Sequence, residues 1–350
     1  MTDIVITGMA SVEPAGEAAL HEGIPGPVHQ VPPFDAVARF GRRQARFKHR
    51  SALLGMAACE AALADSGLKV TDATRDAVGI TLGTTAGSIT GIVEYGMSSL
   101  DSTHPFLVNA ARFPNMGLNA SAAAAAIHLG VRGANSTAVG GPLAGVAALR
   151  HAQIILRAGH VDAVLAGASE EVTGPTVWWA RAARETAAPG EGAAVFMLER
   201  RASALAAGRP PRAVLAAAAV LAADPADPTV LAEVLAQTLA DAGVSPADVA
   251  LAAVRATGVP EVDAAQSAAL DRACPAPRLW SEREIGDCYS AHSALQLVRV
   301  IDHLTGAGAA GPDTAPPAGL VVALDPDGAI GVLVVARPDD AQNGTKETYA

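Results

Sequence analysis

Apolar residues along this chain fall into two rhythms that alternate from end to end. "DIVITG" at 3–8 reads as a short buried strand ending in glycine. "RSALLGMAACEAALADSGL" then places apolar residues at helical spacing and stops at Gly67. "AVGITLGTTAG" predicts a second buried strand running into a glycine-rich turn. "NASAAAAAIHLGVRG" predicts a helix closed by Gly130 or Gly133. A strand at 135–139, a tight turn and a helix from Leu143 to about Ala158 follow. "VDAVLAGASE" is a strand, and "EGAAVFMLERRASALAAG" is a strand that passes into a helix start.

The pattern breaks at "AAGRPPR", 206–212, and then restarts. "AVLAAAAVLAA" is apolar throughout. "DPTVLAEVLAQTLADAGVSPADV" predicts a helix ended by Gly243, with Ser245-Pro246 opening another turn. "ALAAVRATG" reads as a strand, "EVDAAQSAAL" as a helix, and "SALQLVRVIDHLTG" as a helix closed by Gly306. "LVVALDPDGAIGVLVVAR" predicts two strands joined by the turn "DPDG". Residues 339–350 are polar, and their composition predicts a disordered tail. Strands alternating with helices imply a layered α/β fold, and the second half repeats the order of the first.

Composition narrows the function classes. The 350 residues are 50% apolar but only 3% aromatic, so the core is closely packed helix and sheet with small side chains. A net charge of −10 argues against nucleic acid as a partner. The one basic run, "RRQARFKHR" at 42–50, reads as a solvated helix face or as a docking patch for an acidic carrier protein. Cys59, Cys274 and Cys288 have neither CxxC spacing nor a disulfide framework, which fits a reducing cytoplasm. No metal-ligand spacing and no cofactor motif is apparent. The first residues carry an acid, Asp3, and no basic leader, so no signal peptide is expected, and no apolar run predicts a membrane span.

The turn after strand 135–139 poses the chemical question. Strand, tight turn and helix is the layout that lifts a nucleophile above a sheet edge. Here "AVGGPLAG" puts Gly140, Gly141 and Pro142 at the turn, with no Ser, Cys or Lys.

Four motifs, in order and spacing, resemble the β-ketoacyl synthase family of the thiolase fold across roughly residues 3–337: "VITGMASVEP", "HVDAVLAGASE", "GEGAAVFMLER" and "IGDCYSAHSALQLVRVI". The resemblance implies a thiolase-like α-β-α-β-α fold with two similar halves and mixed sheets. It implies an N-terminal half at 1–205 and a C-terminal half at 206–338. Counting back from "AGHVDAVLAG", the family's catalytic cysteine falls on Pro142. Its first histidine, from a His-Gly-Thr-Gly stretch, falls on Thr257 of "RATGVPEVD". Its second, after Ile-Gly, falls on Asp287, and the lysine five residues earlier falls on Glu282. "DPDGAIG" replaces the family's Gly-Phe-Gly-Gly gate. Proline supplies neither nucleophile nor amide donor, threonine is a weak donor, and a carboxylate would repel a developing anion.

This profile is similar to the chain length factor of type II polyketide synthases, a ketosynthase-like subunit that lacks the cysteine. "GDCYSAHSAL" resembles that subunit's version of the loop. Such factors often carry glutamine at the cysteine position, and this chain is shorter, chiefly between about 200 and 230. A divergent branch serving reduced polyene chains is therefore expected. The resemblance implies a heterodimer with a cysteine-bearing ketosynthase, an acyl carrier protein as second partner, and no cofactor or metal. It assigns the interface to the charge-free strand Asn135, Ser136, Thr137, Ala138 and Val139. It assigns the gate of an acyl tunnel to Met116, Gly117 and Ala120 in "FPNMGLNA", where a helix would place 116 and 120 on one face. Two alternatives remain: an inert scaffold, and an enzyme with repurposed chemistry, acyl transfer or decarboxylation, using Cys288 and His292.

Overall fold

The computed structural model describes residues 3–15, 17–18, 27–101, 104–182, 187–306 and 317–338; the polar tail at 339–350 lies outside them. The main strands are β1 (Ile4–Val12), β2 (Val78–Thr84), β3 (Asn135–Val139), β4 (Ala163–Glu170) and β5 (Gly192–Arg200), followed by β6 (Ala213–Ala222), β7 (Val249–Val254), β8 (Arg278–Trp280), β9 (Ala318–Asp325) and β10 (Ala329–Ala336). The main helices are α1 (Arg50–Ser66), α2 (Ile89–Asp101), α3 (Ala120–Leu129) and α4 (Ala144–Arg157), then α5 (Gly174–Ala182), α6 (Pro228–Ala242), α7 (Pro260–Ala273) and α8 (Tyr289–Thr305).

The first five strands pair in the order β3-β2-β4-β5-β1, and the last five in the order β8-β7-β9-β10-β6. Each half thus arranges its strands third, second, fourth, fifth, first. In each half the two strand pairs at the sheet edge run parallel and the two toward the junction of the halves run antiparallel. The halves meet where β1 pairs with β6 over only Val5–Val214 and Ile6–Ala213.

Three hydrophobic clusters show the layering. Along β5, Val195 and Met197 face one way, into a cluster with Leu54 and Met56 of α1 and Ala122 and Ala124 of α3. Phe196 and Leu198 face the other way, with Val146 and Leu149 of α4 and Leu295 and Ile301 of α8. That period of two is what a strand buried on both faces requires. The second sheet repeats the scheme, with Leu333 of β10 in the shared cluster. Val332 lies opposite, against Leu231 and Leu235 of α6 and Leu270 of α7. The result is five layers with α4 and α8 in the middle. Those two helices cross closely at Gly145, where a Cβ would come within 2.6 Å of the Ser293 hydroxyl and 2.8 Å of the Ser290 carbonyl. Among the described residues, no helix is long and apolar enough to cross a membrane.

The strand and helix readings hold, with two corrections. Residues 113–120 are not one helix: a 3-10 helix ends at Asn115, a turn follows, and α3 starts at Ala120. Pro114 and Gly117 oppose a continuous helix here. The basic run is not one face. Arg42 and Arg43 lie exposed on a four-residue helix, whereas Arg50 turns inward to the buried Glu191, with Nε 2.8 Å from both carboxylate oxygens. Lys48 donates to Asn115 at 2.8 Å.

Candidate functional site

The two central helices begin at equivalent places in the two halves, each after the third strand. Before α4 the chain leaves β3 through Gly140, Gly141 and Pro142. Gly141 has φ +50°, the left-handed region that glycine tolerates. Pro142 is the second residue of a 3-10 turn at Gly141–Leu143, and no side chain caps the start of α4. The elbow is formed, and its tip carries a half-buried pyrrolidine ring.

Thr257 sits in the loop after β7 and is buried. Its N–H and hydroxyl both donate to one Asp263 oxygen, at 2.7 and 2.8 Å, and the N–H of Gly258 donates to the other at 3.2 Å. Asp263 belongs to the first turn of α7, so this array binds the loop to the helix start, much as a cap does. The expectation that Thr257 stands as a weak donor is corrected: its proton is already committed inside the chain.

Asp287 is buried against Arg255, which is itself buried. Arg255 Nε donates to Asp287 Oδ1 at 2.9 Å and Nη2 donates to Oδ2, a two-pronged pair. The N–H of Tyr289 adds a third donor at 3.0 Å. Burial pushes the Asp287 carboxyl up, but the Arg255 guanidinium outweighs it and holds the acid below its ordinary value. The position is therefore a carboxylate, and its charge is matched by Arg255 rather than presented to a ligand. This corrects the expectation that it would repel an anion.

His292 lies one turn into α8 and is also buried. Its Nδ1 accepts from the N–H of Cys288 at 3.4 Å, which assigns the proton to Nε2. Nε2 faces the Ser281 hydroxyl at 3.1 Å and Glu282 Oε1 at 3.6 Å. Burial lowers the His292 pKa to about 4, against the pull of Asp287, so the ring is neutral. Burial raises Glu282, which accepts from the N–H of Ala256 at 2.8 Å. The Cys288 thiol is fully buried and donates to the Ile285 carbonyl at 3.3 Å. Burial, then the nearby carboxylates of Asp287 and Glu191, push it well above its usual range. Such a thiol is not a nucleophile.

Sequence reasoning missed Arg255, although a signal existed: it is the one charge in the apolar strand "ALAAVRATG". It also missed Glu170, buried at the end of β4. Its Oε2 accepts from the N–H of Thr85 at 3.0 Å and from Ser290 at 2.7 Å. Burial raises this carboxyl to about 7. Tyr289 adopts a left-handed φ of +43°, and its ring stacks on Trp179 at 5.6 Å. Met116, Gly117 and Ala120 lie half-buried around the turn before α3, some distance along the chain from both loops. Among the described residues, no cluster of three or more His, Cys, Asp or Glu is placed to hold a metal ion.

β3 is an edge strand with Asn135 and Val139 exposed. Elsewhere in the N-terminal half, α2 contacts both α5 and the 3-10 helix Ala110–Asn115. Leu100, Phe106, Phe113 and Trp178 in this part of the chain are all more than 60% exposed.

Comparison with known proteins fits this geometry. Residues 14–204 match the model of the β-ketoacyl synthase N-terminal domain. The chain is 28% identical over 193 residues to the 3-oxoacyl-[acyl-carrier-protein] synthase 2 of Vibrio harveyi, covering 49% of this chain and 46% of that one. It is 24% identical over 251 residues to the enzyme of the same name from a Synechocystis species, covering 59% of each. The chain thus spans about half the length of these relatives. Among solved structures it superimposes on the ishigamide ketosynthase/chain length factor with a TM-score of 0.82 and 27% identity, over 96% of this chain and 99% of that one. A β-ketoacyl synthase from Burkholderia phymatum shares the fold, with a TM-score of 0.81 and 20% identity, over 97% of this chain and all of the other.

Proposed function

The chain belongs to the β-ketoacyl synthase family, and on that premise we propose that it is a non-catalytic, chain length factor-like subunit of a type II polyketide or fatty acyl synthase. It pairs with a cysteine-bearing ketosynthase, stabilises it, and helps to shape the tunnel that holds the growing acyl chain. Within this reading residues 1–205 and 206–338 are the two ketosynthase-like halves.

The observation that carries the proposal is that, of the four positions read as equivalent to the family's catalytic residues, one is a proline and the other three are engaged in bonds within the chain. Pro142 offers neither thiol nor amide. Thr257 is spent on Asp263, and Asp287 on Arg255. The position of Glu282 holds a carboxylic acid that accepts from the backbone. Condensation needs a nucleophile and anion-stabilising donors acting together, and loss of members of such a unit costs many orders of magnitude. The similarity to the ishigamide ketosynthase/chain length factor, which extends over nearly the full length of both chains, supports a place in a two-subunit system of that kind, whichever of its subunits the match falls on.

The partner surface is assigned to β3. A charge-free edge strand presents unpaired backbone groups to another strand, and its small residues Ser136, Thr137 and Ala138 allow close approach. The exposed apolar side chains of α2, α5 and the 104–118 segment are assigned to the same partner contact. Met116, Gly117 and Ala120 are assigned to the tunnel gate. The exposed Arg42 and Arg43 are assigned to an acidic acyl carrier protein. An enzymatic role through Cys288 is disfavoured by the burial of its thiol.

The experiment is co-expression of the tagged chain with a cysteine-bearing type II ketosynthase, followed by product analysis. The expected results are a stoichiometric complex, carbon–carbon bond formation only with the partner present, and no condensation by the isolated chain or by its Pro142→Cys variant. Condensation by the isolated chain overturns the reading, as does a stable monomer that ignores the ketosynthase. In the intact complex, Ala120→Phe is expected to shorten the product by one or more two-carbon units. Unchanged product length removes Ala120 from the gate.

A further inference from the structure

β6 presents a further open sheet edge, in the C-terminal half. Its ten residues, "AVLAAAAVLA", include neither charge nor proline. On one side it pairs with β10 from Val214 to Ala222. On the other it pairs with β1 only through Ala213 and Val214. The next carbonyl, that of Leu215, accepts from Gln153 Nε2 of α4 at 2.6 Å. Beyond it, among the described residues, no hydrogen bond reaches the backbone of residues 216–221 from outside the β10 ladder. Residues 216–220 are half-buried and Leu221 is exposed. In an antiparallel ladder alternate residues turn their N–H and C=O away from the partner strand. This stretch therefore presents unpaired backbone donors and acceptors. They lie at the floor of a slot. Ala218 and Val220 pack toward the central layer that holds α4, and Ala217 packs into the cluster beneath α6. Alongside Ala218–Leu221, between the two helices, is a cavity of about 450 Å³. Val230, Glu233, Val234 and Asp241 line its α6 wall, and Arg150 of α4 stands on the other. Arg150 and Glu233 are exposed, and among the described residues neither makes an ion pair or a hydrogen bond through its side chain. Asp241 accepts from Gln237 at 2.8 Å.

We propose that this slot receives one extended peptide segment of a partner protein, which adds to β6 as a further strand. Strand addition supplies the missing backbone bonds, and successive side chains of the incoming strand turn to opposite faces. One set meets Arg150 beside α4, and the other meets Glu233 and Asp241 beside α6. The sequence selected is therefore an alternation: basic side chains at every second position and an acid among the intervening ones. Proteins normally blunt an apolar edge with charge, with proline or by covering it. Among the described residues, β6 past Leu215 has none of these. The flanking helices leave room for a single strand, whereas a second copy of β6 would bring its own α4 and α6 against them.

The probe is a dye-labelled, end-blocked peptide, Thr-Lys-Val-Lys-Glu-Lys-Thr, titrated into the full chain at physiological salt and read by fluorescence anisotropy. Saturable binding is expected. Two versions of the peptide, N-methylated at alternate amides, test the mode of binding. One set of amides faces β6 and the other faces away, so one version is expected to bind at least about tenfold more weakly and the other as the parent does. Arg150→Glu is expected to weaken the parent peptide about fivefold while the melting curve is retained, and a peptide with Lys in place of its Glu is expected to recover that loss. No saturable binding overturns the proposal, as do two methylated versions of equal affinity. A self-associated chain that the peptide dissociates and Arg150→Glu renders monomeric, measured by light scattering, assigns the edge to a second copy and also overturns it.

Discussion

β3 and β8 hold the same place in the two halves: each is the third strand of its unit, each lies at a sheet edge, and each leads through a turn into a central helix. They differ in everything else. β3 has five residues without charge, an exposed surface and a turn of two glycines and a proline. β8 has three residues, and Arg278 bonds across its end to the Ser267 carbonyl at 3.1 Å and to Asp271. The turn after it folds inward and fills with Asp287, Arg255, Glu282 and His292. One end of the pseudo-repeat is left open for a neighbour, and the other is sealed by its own charges. The loop after β8 is occupied by an ion pair, whereas β3 and its turn carry no charge at all.

The sharpest way to break this contrast is at Asp287. Asp287→Asn leaves the Arg255 guanidinium buried without its counter-charge, and a loss of about 3–5 kcal/mol is expected in urea unfolding. Arg255→Met combined with Asp287→Leu is expected to recover most of it, because apolar replacement of both partners removes the desolvation burden. Loss no larger than that of a surface substitution would mean the pair does not seal the loop. At β3 the expectation is reversed. Val139→Asp, at an exposed end of β3, is expected to leave folding nearly intact and to weaken assembly with the ketosynthase by about 2–5 kcal/mol, through a charge forced into a contact between strands. Trp280→Asp, at the equivalent edge of β8, is expected to leave assembly unchanged. Size-exclusion chromatography with light scattering distinguishes the two.

A smaller, opposed pair of effects concerns pH. Glu170, at the end of β4, has its carboxyl raised by burial to about 7. The folded chain then holds a proton that the unfolded chain releases, so this stability is complete below the ordinary carboxyl value and is lost as pH rises toward 7. His292, at the start of α8, is lowered by burial to about 4. The unfolded chain there binds the extra proton, so this contribution is present above the ordinary histidine value and is lost as pH falls toward 4. Each is worth on the order of 3 kcal/mol, and between about pH 4.5 and 6.5 they oppose one another. Glu170→Gln is expected to make stability rise with pH across that window, and His292→Gln to make it fall. Urea midpoints measured from pH 4.5 to 7.5 check both signs. The smallest expected effect is Thr257→Val, which removes the hydroxyl's bond to Asp263 and the one it accepts from the N–H of Val259 and costs about 1–2 kcal/mol, read as a shift in the thermal midpoint.

The repeating strand and helix order was legible in the chain because it rests on period. Apolar residues every second position, or every third and fourth, have one stable arrangement each, and glycines at 67, 130 and 243 end their helices in the left-handed conformation. That the turn after β3 holds Gly140, Gly141 and Pro142, with no Ser, Cys or Lys, was equally plain, because a side chain's chemistry is a property of its type. What Thr257, Asp287 and Glu282 do instead was not legible. Asp287 and Arg255 are 32 positions apart, and nothing local states that a strand and a loop will bring them together in a site that excludes water. The same holds for the turn at 116–120, where helical spacing suggested a shared face but Pro114 and Gly117 interrupt the helix. The identities of the ionisable groups are written in the sequence. Whether such a group is a repelling charge, half of a sealed pair or a neutral ring depends on burial and on neighbours distant in the chain, and only the tertiary structure sets those.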